Sequence, residues 1–503
     1  MSTPEIACWE IFELSLPGLA FGNPFADVHL SARFQKGGRV LEPEGFYDGA
    51  EGRKGIYRLR FMPDELGEWR YVTRSNLPEL DGIQGTFYCV PPHPGVHGPV
   101  KVASTYHFAY ADGKRFFPLG TTCYAWANQP VELQEQTIQS LATAPFNKLR
   151  MCIFPKDYLY NKNEPLDYAF PILEKETRVK GQTSTDEYSF DFTRFNPAFF
   201  RRIEQHIGQL AELRIEADVI LFHPYDRWGF SNMDAQTDER YLRYLIARLA
   251  AYRNVWWSLA NEYDIMKSKN LADWDRLFRI VQTYDPYQHL RSVHNWQRSD
   301  THDTRTFYDH GKPWVTHCSI QHSYVDLVSN WRELYHKPVI VDECCYEGNL
   351  PNAWGNLIPQ EMVRRFWEAT LRGGYCTHGE TYLDSQDVIW WAKGGLLKGQ
   401  SPPRIAFLRH ILEEIPAGWL DPLTGITNTH LSSAGQPGRY YLTYFGFRQP
   451  GEVQVSLPVE GTFRAEIIDT WEMTISPLPG TFERTTTIAL PGKPYLALRI
   501  QKT

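Results

Sequence analysis

The segment VWWSLANE, residues 255–262, decides how the rest of the chain is read. Its aromatic, β-branched and aliphatic residues break off at the polar pair Asn261-Glu262. Such a run fits a short strand buried on both faces, as in a parallel sheet. A parallel barrel gathers its chemistry at the C-terminal ends of its strands. The segment PVIVDE, residues 338–343, repeats the pattern and ends in Glu343. Two buried strands that each deliver a Glu predict two carboxylates facing one cleft, the minimum needed to break a glycosidic bond.

Outward from these segments, residues 96–415 alternate strand-like and helix-like stretches. Strands are predicted to begin near 116, 146, 217, 255, 291, 315, 338 and 374. Helices are predicted over 131–143, 198–213, 240–252, 272–284, 360–371 and 403–414. Within 198–213, Phe199, Ile203, Ile207 and Leu210 fall on one helical face. Eight β/α units over roughly 300 residues is the size of a TIM barrel. On this count Glu262 follows the fourth strand and Glu343 ends the seventh.

The flanks lack helical periodicity. Residues 1–95 show short strand-like segments at 9–14, 27–34, 55–62, 68–74 and 85–90, separated by turn signals such as Asp48-Gly49 and Asp81-Gly82. That spacing predicts an immunoglobulin-like β-sandwich. Residues 416–503 alternate again at 440–445, 452–456, 463–469 and 495–501, which predicts a second β-sandwich. The expected class is α/β: a central (β/α)8 barrel over 96–415 between an N-terminal sandwich (1–95) and a C-terminal one (416–503).

Composition narrows the function. The net charge of −7 carries no clustered basic face, which excludes a nucleic-acid partner. No apolar run is long enough to span a membrane. The start, MSTPEIACWE, lacks the pattern of a signal peptide, so a cytoplasmic location is expected. Eight cysteines occur without C-x-x-C spacing and read as reduced, buried thiols. No metal or cofactor is expected: His302, Asp303, Asp309 and His310 fit no zinc spacing and read as a solvated loop. The expected partner is an oligosaccharide or glycoside, with a homo-oligomer left open.

Further residues join the two Glu. Arg150 stands in Asn147-x-x-Arg150 on the second strand, and His322-Ser323-Tyr324 follows the sixth. The ordered set Arg150, Asn261, Glu262, Tyr324 and Glu343 resembles clan A of the retaining glycoside hydrolases. The resemblance implies that Glu262 is the acid/base and Glu343 the nucleophile. It implies that Asn261 contacts a sugar hydroxyl, and that Arg150 and Tyr324 steady Glu343. The whole chain is similar to bacterial glycosidases with an apiosidase-like barrel, which carry N-terminal segments like GFYDG (45–49) and RFMP (60–63) and a C-terminal β-domain. It implies a reaction type far better than a sugar.

Other candidates come from strand-end position or aromatic character. His223, Tyr225 and Asp226 follow the third strand, His294 ends the fifth, and Glu380 ends the eighth beside His378. With His322 they are candidate substrate contacts; the plainer reading is a hydrogen-bonded loop. Trp126, Trp390 and Trp391 are candidate sugar-stacking platforms, and core packing is the commoner fate of a Trp. Trp256 and Trp257 are expected to desolvate Glu262. Asp342 is expected to point away from Glu343 by strand alternation. The reading is a retaining hydrolase acting from the end of short glycans, pyranoside or furanoside. A non-catalytic carbohydrate-binding barrel and a transglycosidase using the same residues stand as alternatives.

Overall fold

The computed structural model describes residues 3–51, 54–180, 183–296, 307–385, 389–428 and 431–503. Its centre is a parallel barrel of β1 (Gly120–Thr122), β2 (Lys148–Cys152), β3 (Glu216–Phe222), β4 (Val255–Ala260), β5 (Arg291–Ser292), β6 (Cys318–Gln321), β7 (Val339–Glu343) and β8 (Tyr375–His378). The ladder runs β5-β4-β3-β2-β1-β8-β7-β6. A parallel bridge between His294 and Ser319 joins its two outer strands and closes the ring. β2, β3, β4 and β7 are buried at every position; β4 reads as a continuous apolar run, and Lys148, Arg150, Asp218 and Asp342 of the others are paired inside the barrel.

β1 starts later than its sequence signal. Phe116 belongs instead to a small antiparallel sheet of Val100–Ala103, His107–Tyr110 and Arg115–Phe116. Phe108 of that sheet packs 5.4 Å from Trp256 and 5.7 Å from Tyr375, forming an apolar floor. Trp256 is thus spent on the floor, and Trp257 donates to Asp285 at 3.0 Å. The desolvation of Glu262 expected from these two residues has another source, given below.

The surrounding helices are α1 (Val131–Thr143), α2 (Pro197–Glu212), α3 (Ala235–Leu249), α4 (Leu271–Tyr284), α5 (Val328–Tyr335), α6 (Pro359–Leu371) and α7 (Ser401–Glu413). Asn270 and Asp273 form a reciprocal cap that starts α4. α5, only 8 residues long, is too short to register as a periodic pattern. A hairpin of Ile172–Lys180 and Thr183–Phe190, also unforeseen, is inserted after β2. Of the residues read as a solvated loop, His302 and Asp303 lie outside the described residues, and His310 is fully buried.

The N-terminal region packs one five-stranded sheet on one of three strands. Phe34 stacks on Phe61 at 4.0 Å and Phe12 on Phe87 at 4.3 Å between them. Arg60 from this region and Arg248 from α3 converge on Glu204 of α2. A cavity of about 860 Å³ at this boundary is lined by Phe25, Phe46, Arg240 and Tyr244 and holds none of the predicted site residues. The C-terminal region is a six-stranded antiparallel sheet with a two-stranded ribbon, packed on α6 through Trp367 and Tyr444 at 5.4 Å. All eight cysteines are unpaired and buried.

Candidate active site

β4 ends at Ala260, and the chain then turns sharply: Glu262 sits in the left-handed region, φ 51°. β7 ends differently. Ile320 pairs with Val341 and Gln321 pairs with Glu343, so Asp342 is an extra residue in the ladder. This bulge re-aims the strand end. Asp342 therefore does not point away as alternation predicts. It accepts from Lys148 (2.7 Å), Arg150 (3.3 Å), Ser319 (2.6 Å) and Thr377 (2.7 Å), groups on β2, β6 and β8 that meet inside the barrel. Asp218 pairs with the same Lys148 and Arg150 at 2.7 and 3.0 Å. Two cations and two anions, all fully buried, form a neutral layer.

The two Glu lie together at the top of the barrel. Glu343 accepts from the Tyr124 hydroxyl and from Gln321 Nε2 at 2.8 Å, and His294 Nε2 stands 3.5 Å away. Glu262 accepts from the Tyr225 hydroxyl. Asn261 Oδ1 accepts from Tyr124 (3.0 Å) and Arg150 (3.3 Å). Its buried Nδ2 has no partner among the described residues.

Surroundings split the pair electrostatically. Burial and the neighbouring Glu343 charge push Glu262 up to about 8, against smaller opposing effects of Lys156, Tyr225 and Gln321. Burial also raises Glu343, but His294, Tyr124 and Lys156 outweigh it and hold the group below the usual carboxylate range. Burial drives His294 itself toward the neutral form. We therefore assign its effect to N–H polarity rather than to a full charge. The arrangement gives one protonated and one ionised carboxyl at neutral pH.

The apolar setting is a cluster of Tyr124, Tyr160, Tyr346 and Trp391 with Tyr158 and Trp354 against it. Trp391 stands 5.8 Å from Tyr124, 5.4 Å from Tyr346 and 5.1 Å from Trp354. Tyr124, Lys156, Gln321 and Tyr346 were not singled out from sequence. They sit on or just past strand ends, and only the barrel register brings them together.

Several expected roles change. Arg150 forms no ion pair with Glu343; its charge is taken by Asp218 and Asp342, and it reaches the site through Asn261. The hydroxyl that donates to Glu343 comes from Tyr124 rather than Tyr324, whose backbone N–H donates to His322 Nδ1 at 3.0 Å. His322 packs 5.2 Å from Trp331, and its backbone N–H donates to the Glu343 carbonyl at 2.9 Å. Trp126 is buried 4.5 Å from His206, and Trp390 donates to Thr121 at 2.9 Å; both are core residues, and Trp391 is the one of the three that packs against Tyr124 and Tyr346 beside the carboxylates. Asp226 braces its loop through the Trp228 and Ser231 amides. His223 is bonded to the Phe154 carbonyl at 3.2 Å, and of these loop candidates Tyr225 reaches Glu262.

Glu380 is 1% exposed, and its carboxylate is taken by backbone amides rather than left open for the expected substrate contact. It accepts from the Lys398 and Gly399 amides, while Glu347 accepts from Gln400 and Ser401 at 2.7 and 3.1 Å. With His378 these two form a group whose ligand atoms lie within 4.8 Å, the one such group among the described residues. The carboxylates face successive amides that open α7, which is the environment of a helix cap.

Comparisons agree with this fold. The apiosidase-like catalytic domain family matches residues 103–416. Two domains of unknown function, DUF5060 and DUF5605, match residues 5–76 and 429–501. No curated protein matches the chain. A crystal structure described as a candidate glycoside hydrolase from Bacteroides vulgatus is 41% identical over 100% of both chains, with a TM-score of 0.92. A family 5 glycoside hydrolase of the same organism shares 14% identity, covering 81% of this chain and 94% of its own, with a TM-score of 0.60; it shares the fold. With its closed barrel, its paired carboxylates and this match over the whole catalytic region, the chain belongs to the apiosidase-like glycoside hydrolases.

Proposed function

We propose that the protein is a retaining glycosidase in which Glu343 is the nucleophile and Glu262 the acid/base. The observation that carries this reading is a pair of buried carboxyls at the same barrel mouth with unlike surroundings: Glu343 accepts from Tyr124 and Gln321, which favour its ionised form, while Glu262 accepts from Tyr225 and is raised by burial and the Glu343 charge. Glu262 protonates the glycosidic oxygen as Glu343 attacks the anomeric carbon, and the aglycone leaves as the alcohol. A glycosyl ester on Glu343 results. Glu262, now a carboxylate, takes a proton from water, and the oxygen of that water displaces Glu343. Tyr124 and Gln321 orient Glu343, and Tyr225 orients Glu262. The free Asn261 Nδ2 donates to a sugar hydroxyl, and Trp391 offers a face to the ring.

Both carboxylates are 5% exposed beneath an aromatic rim, which favours a terminal residue of a short glycan over the middle of a long chain. The test is nitrophenol release from a panel of aryl pyranosides and furanosides, with the first-formed anomer read by NMR. Release with retention by wild type, and none by Glu343→Gln, is expected. An inverted product, or equal release by the variant, overturns the assignment.

A further inference from the structure

Lys156 lies in the loop after β2, and its side chain is 2% exposed. Its ammonium forms no ion pair and no hydrogen bond among the described residues. Aromatic faces surround it instead: the Nζ atom is 3.9 Å from the Tyr124 ring centroid, 4.3 Å from Tyr225, 4.5 Å from Tyr158 and 5.6 Å from Trp391. Ring faces attract a cation but do not neutralise it. A lysine kept only for packing would be served as well by a methionine, without the cost of desolvating a charge.

Charge accounting gives this lysine a role. Below the carboxylate pair, Lys148 and Arg150 are cancelled by Asp218 and Asp342. The direct donors to Glu343 are the neutral Tyr124 and Gln321. Lys156 is the cation left to balance an ionised Glu343. It is also coupled to both carboxyls through single side chains. Tyr124 turns its ring to Lys156 and its hydroxyl to Glu343; Tyr225 does the same toward Glu262. A cation over the face of a phenol makes its O–H a stronger donor.

We propose that Lys156 is a positioning residue that supplies the countercharge of the catalytic pair and, through Tyr124 and Tyr225, sets the pH window of the reaction. The proposal rests on the roles assigned above to Glu262 and Glu343. The groups facing Lys156 are Tyr124 beyond β1, Arg150 and Cys152 on β2, Tyr158 in its own loop, His223 and Tyr225 beyond β3, Glu262 beyond β4, Glu343 on β7, and Trp391 beyond β8. Burial lowers the lysine's own pKa, while Cys152, Glu262 and Glu343 raise it. The two carboxylates thus act to keep it charged.

The test is the pH profile of kcat/KM for wild type, Lys156→Met and Lys156→Arg on an aryl glycoside that wild type cleaves. Loss of the cation disfavours ionisation of both carboxyls, so both limbs of the Met profile should move to higher pH, by about one unit. The Arg variant should keep the wild-type limbs even if its kcat is lower. Met limbs that coincide with wild type overturn the proposal, whatever happens to kcat. If Lys156→Met does not fold, NMR of 15N-ζ-lysine wild-type protein decides. An ammonium at the pH of maximal activity, shifted by its ring neighbours, supports the proposal, and a neutral amine there overturns it. Failure of the glycosidase reading looks different, because no member of the panel is then cleaved by wild type, while the lysine charge is still read directly.

Discussion

Asp342 and Glu343 are adjacent in the chain, yet both carboxylates enter the barrel: Asp342 bonds Lys148 on β2, and Glu343 accepts from Tyr124 beyond β1. The bulge at the end of β7 makes this possible. It separates a structural anion from a reactive one by a single peptide unit.

The two anions should therefore fail differently. Asp342→Ala leaves Lys148 and Arg150 buried with one counter-ion between them, and should cost about 3–5 kcal/mol of stability. Glu343→Gln should abolish turnover and leave the denaturation midpoint near wild type. Urea unfolding of both variants, beside their rates, checks the contrast.

Glu262 ties stability and activity to adjoining pH ranges: stability falls as pH rises from about 4.3 to about 8, and activity falls above about 8. As an acid raised to about 8, it should place the basic limb of kcat/KM near that pH. In the unfolded chain the same group titrates at about 4.3. Below that pH both states are protonated and its burial carries no penalty. As pH rises toward the folded value, the unfolded state releases its proton first, and folding stability declines. Glu262→Gln should therefore be more stable than wild type at pH 9, by at most about 5 kcal/mol, with the gap closing near pH 4. Thermal unfolding at the two pH values reads this directly.

Tyr124 should matter more than Tyr324. Tyr124→Phe removes the donor shared by Glu343 and Asn261, and should lower kcat by about 100-fold. Tyr324→Phe should change kcat by less than about 5-fold, because its backbone rather than a bond to Glu343 ties it to the site. Steady-state kinetics of the two variants rank the hydroxyls.

Adjacent tryptophans should separate in the same way. Trp390→Ala opens a cavity in the barrel core and breaks the bond to Thr121, and should cost about 3–5 kcal/mol. Trp391→Ala should chiefly impair turnover, since its ring borders the carboxylate pair and the Lys156 cage. Comparing melting temperature with kcat/KM for each distinguishes the roles.

Much of the architecture was legible in local pattern. A strand buried on both faces must be apolar at most positions, and an amphipathic helix must repeat near every third or fourth residue, so β3, β4, β7, α2 and α4 announced themselves. β1 and α5 did not. β1 is short and blends into the Phe116 floor strand, and α5 is barely two turns. The charged hairpin Ile172–Lys180 with Thr183–Phe190 carries no apolar alternation to betray it.

The sequence by itself determined the barrel, its flanking β-rich regions, and Glu262 and Glu343 as strand-end glutamates, because each is written in neighbouring residues. Which groups surround those glutamates was decided by tertiary structure alone. Barrel closure brings Tyr124 from beyond β1, Lys156 from beyond β2 and Gln321 from β6 to carboxylates on β4 and β7. The same closure spends Arg150, Trp126, Trp390 and Glu380 elsewhere. Hydrogen-bond capacity is finite, and a buried group satisfied by one partner has little left for another. That allocation depends on distances across the barrel, which no local pattern of residues encodes.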